Sequence, residues 1–294
     1  MLRVTDQTMT MSAQRSLGAR QARLAASQAT ASSGVRLARP SDDPVGAGDA
    51  LRVRAQAAAT AQYQRNINDG TGWLTALDSS LGSATSLLRQ VRDLTVQGGN
   101  GSLNQDARDA LAQQVDELRK DLLSTANTRY LGRNVFAGTS DVDGAFADGA
   151  PPTFNGAPGA SVQRRVGPDQ TVRVDADGAA IFGTGANSVF TVLDGIASDL
   201  RGGTEPTARL QALDSGMKAV MSGRSDIGSR LAQVQRAGQS ATATQTSLEA
   251  QRSGIEDVDL GKAALDLQLQ QTAYQAALAV TAKVLQPSLT DFLR

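Results

Sequence analysis

The chain has 294 residues, balances 29 Lys and Arg against 29 Asp and Glu, and contains neither Cys nor His. The charge balance argues against a nucleic-acid or anionic-membrane binder that needs a dense basic face. Without Cys there is no disulfide, thiol nucleophile or thiolate metal site, and without His the commonest general base and metal ligand is gone. Aromatic residues make up only 3 %, a composition suited to long, lightly packed helices rather than to a thick globular core. No apolar run approaches the roughly 20 residues of a membrane span. Met1 to Asp6 lacks the apolar core of a secretory signal, so the expectation is a soluble, unprocessed chain.

Residues 1–31 are polar but periodic. Leu17, Leu24 and Ala31 share one heptad row, Val4 and Met11 lie on an adjacent one, and Gln14, Gln21 and Gln28 occupy the other seam. At about 2 kcal/mol for each fully buried large side chain, its few apolar residues cannot offset an ordering cost of about 1–2 kcal/mol per residue. This helix is therefore expected to be firm only against partners, and residues 1–31 and 262–294 to be largely disordered in the isolated subunit. Two Pro and two Gly between Ser32 and Gly46 break the pattern, and Ser41 or Asp42 is placed to cap the helix that restarts near Pro44.

Helix is expected to resume from Asp49 to about Val96, with Leu74, Leu77, Leu81, Ala84, Leu88, Val91 and Thr95 as its seam. Gly98 to Gly101 ends it, and Asn104 caps the next helix, whose stripe is Leu111, Val115, Leu118, Leu122 and Thr125. So short a turn predicts an antiparallel pair. Between Gly132 and Gly185 the period drops to two, with Val162, Arg164 and Val166, then Val172 and Val174, around turns at Gly167-Pro168-Asp169 and Asp177-Gly178. A small β-rich insert follows from this pattern. Its segment 144–183 holds few large apolar residues, so it is expected to be an outward module that a linker could replace.

Phe190, Leu193, Ile196, Ala197 and Leu200 mark a short helix, and Pro206 opens the longest apolar row of the chain. Stepping by seven from Leu213 gives Val220, Ile227, Val234, Ala241, Leu248 and Ile255 without a polar interruption, the pattern of a long helix packed lengthwise on others. The last helix, from about Asp259 to Leu285, is apolar on two faces. Leu260, Leu267, Tyr274, Leu278 and Leu285 share one, while Leu265, Leu269, Ala273, Ala276, Val280 and Val284 share the other. Such a helix is buried, either inside its own bundle or as a self-assembly surface.

No reaction centre emerges. Asp141-Val142-Asp143-Gly144 and Asp175-Ala176-Asp177-Gly178 resemble the start of a calcium loop but lack the closing Glu. Gly98 to Gly101 is followed by no Lys-Ser/Thr and is not a phosphate loop. Asp42 and Asp43 can pair with Arg36 or Arg39. No catalytic, cofactor-binding or metal residue is expected; a carboxylate hydrolase using Asp169, Asp175 and Asp177 would place all three in turns.

Ser32-Ser33-Gly34, followed by Arg39-Pro40-Ser41-Asp42-Asp43-Pro44-Val45-Gly46-Ala47, resembles the N-terminal signature of the bacterial hook-associated protein 3 family, the flagellin-like hook–filament junction proteins. Tyr63-Gln64-Arg65-Asn66-Ile67 with Trp73-Leu74 is similar to that family's next block. So are Ala126 to Gly132 leading to Phe136-Ala137-Gly138-Thr139, Ile255 to Leu260, and the ending Leu285 to Leu289 with Phe292-Leu293. Gly34-Val35-Arg36 and Arg133-Asn134-Val135 depart slightly from the family pattern. Flagellin is a relative that usually lacks the two prolines around Ser-Asp-Asp, and it is the alternative reading. A coiled-coil binding module unrelated to flagella is a further one.

The resemblance implies a mainly α fold: a long antiparallel helical rod built from both termini, with a small β-rich inserted domain. Its divisions would be an N-terminal stem at 1–138, an insert at 139–186 and a C-terminal stem at 187–294 packing on the first. It implies an extracellular structural junction of the flagellum, exported through the type III channel without a cleaved signal. Implied partners are further copies in a ring, the hook-side hook-associated protein, flagellin on the filament side and an export chaperone on the C-terminal helix, with no cofactor, nucleic acid or membrane insertion. The implied assembly interface comprises Val4, Met11, Leu17, Leu24, Leu260, Leu267, Leu278, Leu285, Leu289 and Phe292. The motif loop comprises Arg39, Pro40, Ser41, Asp42, Asp43 and Pro44.

Overall fold

A computed structural model describes residues 6–37, 39–41, 43–149, 152–157 and 159–284. Among the described residues seven α-helices dominate: α1 (Asp6–Ser33), α2 (Pro44–Gly98), α3 (Gln105–Ala126), α4 (Gly178–Phe182), α5 (Val189–Arg201), α6 (Leu210–Glu256) and α7 (Leu260–Val284). Six short strands form three antiparallel hairpins: β1 (Arg129–Tyr130) with β2 (Arg133–Asn134), β3 (Phe146–Ala147) with β4 (Thr153–Phe154), and β5 (Gln163–Arg165) with β6 (Thr171–Arg173). The chain forms two compact units, one of residues 59–244 and one of residues 1–58 with 245–294.

In the unit 59–244 the heptad rows become the core. Leu74, Leu77, Leu81, Ala84, Leu88 and Val91 of α2 are fully buried, as are Leu213, Val220, Ile227 and Val234 of α6. The buried hydroxyls on α2 are satisfied locally, since Ser80, Thr85 and Thr95 each donate to the carbonyl four residues earlier at 2.7–2.9 Å. This allows polar positions inside a packed seam without orphaned groups. Asn104 caps α3 as expected, its side-chain oxygen accepting from Ala107 N–H at 3.0 Å. α3 runs back along α2, because its far end brings Thr128 within 3.0 Å of Ser80. α3 also lies against α5, where Arg119 pairs with Asp194 at 2.5 Å and Arg201 pairs with Asp116.

The β segment is not the outward module its composition suggested. Val162, Val166, Val172, Val174, Ile181 and Phe182 are buried in the same apolar core as α2, α5 and α6. Four phenylalanines are gathered here: Phe182 lies 5.3 Å from Phe136 and 5.9 Å from Phe190 between ring centres, and Phe146 lies 5.3 Å from Phe190. Such tilted and edge-on pairs add to plain area burial. Two-residue strands cannot bury a face against one another, so their side chains must use the helices as the second layer. The β5–β6 hairpin is pinned to the following turn by Asp175, fully buried, which takes Arg173 at 2.8 and 3.0 Å and accepts from Val162 N–H at 2.8 Å. Asp177 caps α4. These two carboxylates thus have structural work inside the turn.

Within this unit, ion pairs tie α2 to α6 at two places, Arg92 with Asp214 at 3.0 Å and Arg224 with Asp78. Arg224 reaches Asp78 at 2.8 and 3.2 Å, and its hydrogen bond holds the Asp78 carboxyl below the ordinary range. A lowered carboxyl pKa contributes stability above the unfolded value, about 3.9 for Asp, and that contribution disappears as pH falls through the folded value. Asp194 behaves oppositely, because burial raises its pKa despite Arg119. Asp78→Asn is therefore expected to flatten part of the loss of stability on acidification below about pH 4. Urea melts across that range test this, and parallel curves for the two proteins would refute it.

Candidate assembly interface

The unit 1–58 with 245–294 is built from α1 and α7 together with the start of α2 and the end of α6. α1 and α7 lie antiparallel along each other, with Ser27 donating to Asp266 at 2.8 Å near the end of one and the beginning of the other. Both are regular helices, where the sequence suggested largely disordered arms. The thinness that suggested disorder is visible in the packing. Among the described residues of α1 none is buried, and in α7 only Ala263 is. Leu17 and Leu24 are half-buried on the α1 side, with Ala13 and Ser27 as the second row; Gln14, Gln21 and Gln28 face outward. On α7 the half-buried positions are Leu267, Gln270, Ala273, Tyr274, Ala277 and Thr281.

The two-faced character of α7 is resolved by this pairing. One face meets α1. The other, with Leu265, Leu269 and Val280, is exposed, and so are Leu260 and Leu278. Met11 is exposed on α1. The residues expected at an assembly interface therefore divide. Leu17, Leu24 and Leu267 serve the internal α1–α7 seam, while Met11, Leu260 and Leu278 are open. Val4, Leu285, Leu289 and Phe292 lie outside the described residues. Leu265, Leu269 and Val280 form a separate open row on the opposite side of α7 from Leu260 and Leu278. Their 100° periodicity placed them together in the sequence, but nothing local distinguished the covered face from the uncovered one.

The motif loop joins the two chain reversals. Val35 bridges Asp257 in antiparallel fashion, with Arg36 N–H donating to Glu256 carbonyl at 2.7 Å and Val258 N–H to Gly34 carbonyl at 2.9 Å. The Arg36 guanidinium donates to Ile255 carbonyl at 2.7 and 3.1 Å and pairs with Asp43 at 3.5 Å. An arginine thus satisfies a carbonyl at the end of α6 that has no intrahelical partner. Arg54 adds an ion pair to Glu256 at 2.7 Å. The cap of α2 is made by Asp43, not by the expected Ser41; the alternative expectation, Asp42, falls outside the described residues. The Asp43 carboxylate accepts from Gly46 N–H at 2.9 Å, and Pro44 takes the first helical position, where the missing N–H is harmless. A Cβ at residue 46 would stand 2.4 Å from the other oxygen of that carboxylate, so a side chain there would push the Asp43 carboxylate out of its capping position. Arg39, Pro40 and Ser41 are exposed, and Asp42 lies outside the described residues.

Residues 4–141 match the bacterial flagellin N-terminal helical region, and residues 210–293 match the bacterial flagellin C-terminal helical region. The chain belongs to the flagellin family. Within it, the chain is similar to the flagellar filament 30.7 kDa core protein of Treponema maltophilum, 27 % identical over 86 % of this chain and 85 % of that one. It is equally similar to flagellar hook-associated protein 3 of Salmonella typhimurium, 26 % identical over 84 % and 85 %. Among solved structures, the flagellar junction protein of Legionella pneumophila shares the fold with a TM-score of 0.60 and 15 % identity, over 71 % of this chain and 99 % of that one. The mainly helical architecture with its small strand region is the fold of this flagellin family, and its members are structural proteins of the flagellum.

Proposed function

We propose that this protein is a structural junction subunit of the bacterial flagellum, joining the hook-associated ring to the flagellin filament through its terminal helices. The observation that carries the reading is the α1–α7 pair: a helix apolar on two sides has one side on α1 and leaves Leu265, Leu269 and Val280 open on the other, over about four turns. Such an exposed apolar row is a surface made for covering. Further copies in a ring would cover it. The hook-side hook-associated protein and flagellin would stack below and above, and an export chaperone would shield the C-terminal helix beforehand. On this reading the chain acts outside the cell, leaves without a cleaved signal, catalyses nothing, and uses 1–138 and 187–294 as stem with 139–186 inserted.

The filament-subunit reading stands on the nearly equal identity to a filament core protein and to a hook-associated protein. Two experiments separate them. Expressed in a strain that lacks its junction protein, the chain should restore attached filaments. Purified, it should not polymerise into long filaments by itself. Long polymers, together with failure to restore attachment, would give the filament reading instead.

The open face makes its own prediction. Leu265→Glu and Leu269→Glu should each leave the isolated chain's stability within about 0.5 kcal/mol, as exposed substitutions do, while filament attachment is lost. A large fall in melting temperature would mean that the face is already covered within the chain.

A further inference from the structure

The β1–β2 connection is a two-residue hairpin loop, Leu131-Gly132, with Tyr130 paired to Arg133. Both loop residues have positive φ, 49° at Leu131 and 79° at Gly132. Tight hairpins of this kind take Asn-Gly or Asp-Gly, because a bulky side chain is crowded in the left-handed region. Here the first position holds a leucine, the one non-glycine residue with positive φ among the described residues, and it is 77 % exposed. The position is unfavourable twice over, for backbone and for side chain. Such outliers point to function when the surroundings hold them in place, and Tyr130 does so by setting its ring 5.8 Å from that of Trp73 on α2.

Elsewhere in the same unit, α2 and α3 leave an open groove of about 690 Å³. Its lining mixes Leu94, Ala110 and Leu118 with Gln90, Gln113 and Gln114, and it carries two carboxylates, Asp93 and Glu117, the latter also paired with Lys120 at 2.9 Å. The hairpin tip has the complementary character, a leucine flanked by the exposed Arg129 and Arg133. Arg129 also holds Asp143, and Arg133 donates to Thr139 carbonyl at 3.2 Å. The tip cannot reach the groove of its own chain. It sits at Trp73, 17 residues along α2 from Gln90, or about 26 Å at 1.5 Å per residue.

We propose that the β1–β2 tip is a docking knob for a second copy of this chain, with Leu131 entering the α2–α3 groove of the neighbour. Knob and groove are different surfaces, so the contact is head-to-tail, the kind that closes into rings or runs on into helical stacks. The proposal rests on the junction reading above and supplies one contact for its ring.

The absence of Cys from the chain makes the test clean. Leu131→Cys and Ala110→Cys are combined in one full-length chain, expressed in the junction-deficient strain, and treated with a short bismaleimide on the sheared flagella. A ladder of covalent oligomers is expected from the double variant, and no ladder from either single one. Leu131→Asn, which suits the turn better and removes the knob, should fold with unchanged or higher melting temperature yet shed filaments. If the wild-type chain itself fails to hold filaments, the junction reading falls and this inference with it. If the wild-type holds them but the double variant gives no ladder, or Leu131→Asn holds them equally well, the inference alone is overturned.

Discussion

Replacing Ile227 and Val234 together by Asp is expected to abolish the cooperative folding of residues 59–244. Both side chains are essentially inaccessible, at 1 % and 0 % exposure on the inward row of α6. Each substitution removes a buried apolar side chain, at about 0.5–5 kcal/mol depending on how the site relaxes. Each also introduces a carboxylate with no partner built for it, costing several kcal/mol more even if it stays protonated. Two such changes exceed the margin of about 5–15 kcal/mol that holds a typical domain together. Circular dichroism should show a large loss of helicity and no sigmoidal thermal transition, and filament attachment should fail. Met221→Asp on the same helix, at an exposed position, is the matched control and should change stability by no more than about 0.5 kcal/mol. A cooperative transition in the double variant near that of the wild type would show that the α6 row is not the axis of the core.

The second large effect concerns residues 144–183. A Gly-Ser linker in their place is expected to destabilise the helical unit severely, because the segment contributes Phe146, Val162, Val166, Val172, Val174, Ile181 and Phe182 to the shared core. Its loss would strip Phe136 and Phe190 of their ring partners and uncover the adjoining faces of α2 and α6. A milder probe is Phe182→Ala, which should cost about 3–5 kcal/mol since Phe182 is wholly buried against three other rings. Val45→Ala, on an exposed side chain at the start of α2, should cost almost nothing by comparison. Chemical melts provide the measurement. If the linker variant unfolds at the wild-type denaturant midpoint, the segment is an appendage after all, and its burial is energetically idle.

Both expectations invert or sharpen what local sequence suggests, and the pattern of agreement has a physical basis. The heptad row from Leu213 to Ala241 and the seam from Leu74 to Val91 are legible because a helix writes its buried face into the chain every three to four residues. Asn104, as a cap, and the turn at Gly98 to Gly101 are legible for the same reason, since their partners lie within a few residues. The flagellin relationship was likewise readable from contiguous blocks, above all Arg39 to Ala47.

Contacts between residues far apart in sequence were not legible. Arg36 reaches the carbonyl of Ile255 across 219 positions, and no spacing announces that. Asp43 takes the cap that the sequence offered to Ser41 or Asp42, because the route of the loop beside α6 brings its carboxylate to the first free N–H groups. The period of α7 marks two apolar faces, but only the position of α1 selects Leu267 for the seam and leaves Leu265 and Leu269 outside. The valines in and beside β5 and β6, Val162, Val166, Val172 and Val174, are too few to form a core by themselves, which is why composition made the segment look detachable. They become core because the helices beside them supply the other half of the surface they bury, and burial belongs to the pair of surfaces rather than to either stretch of chain.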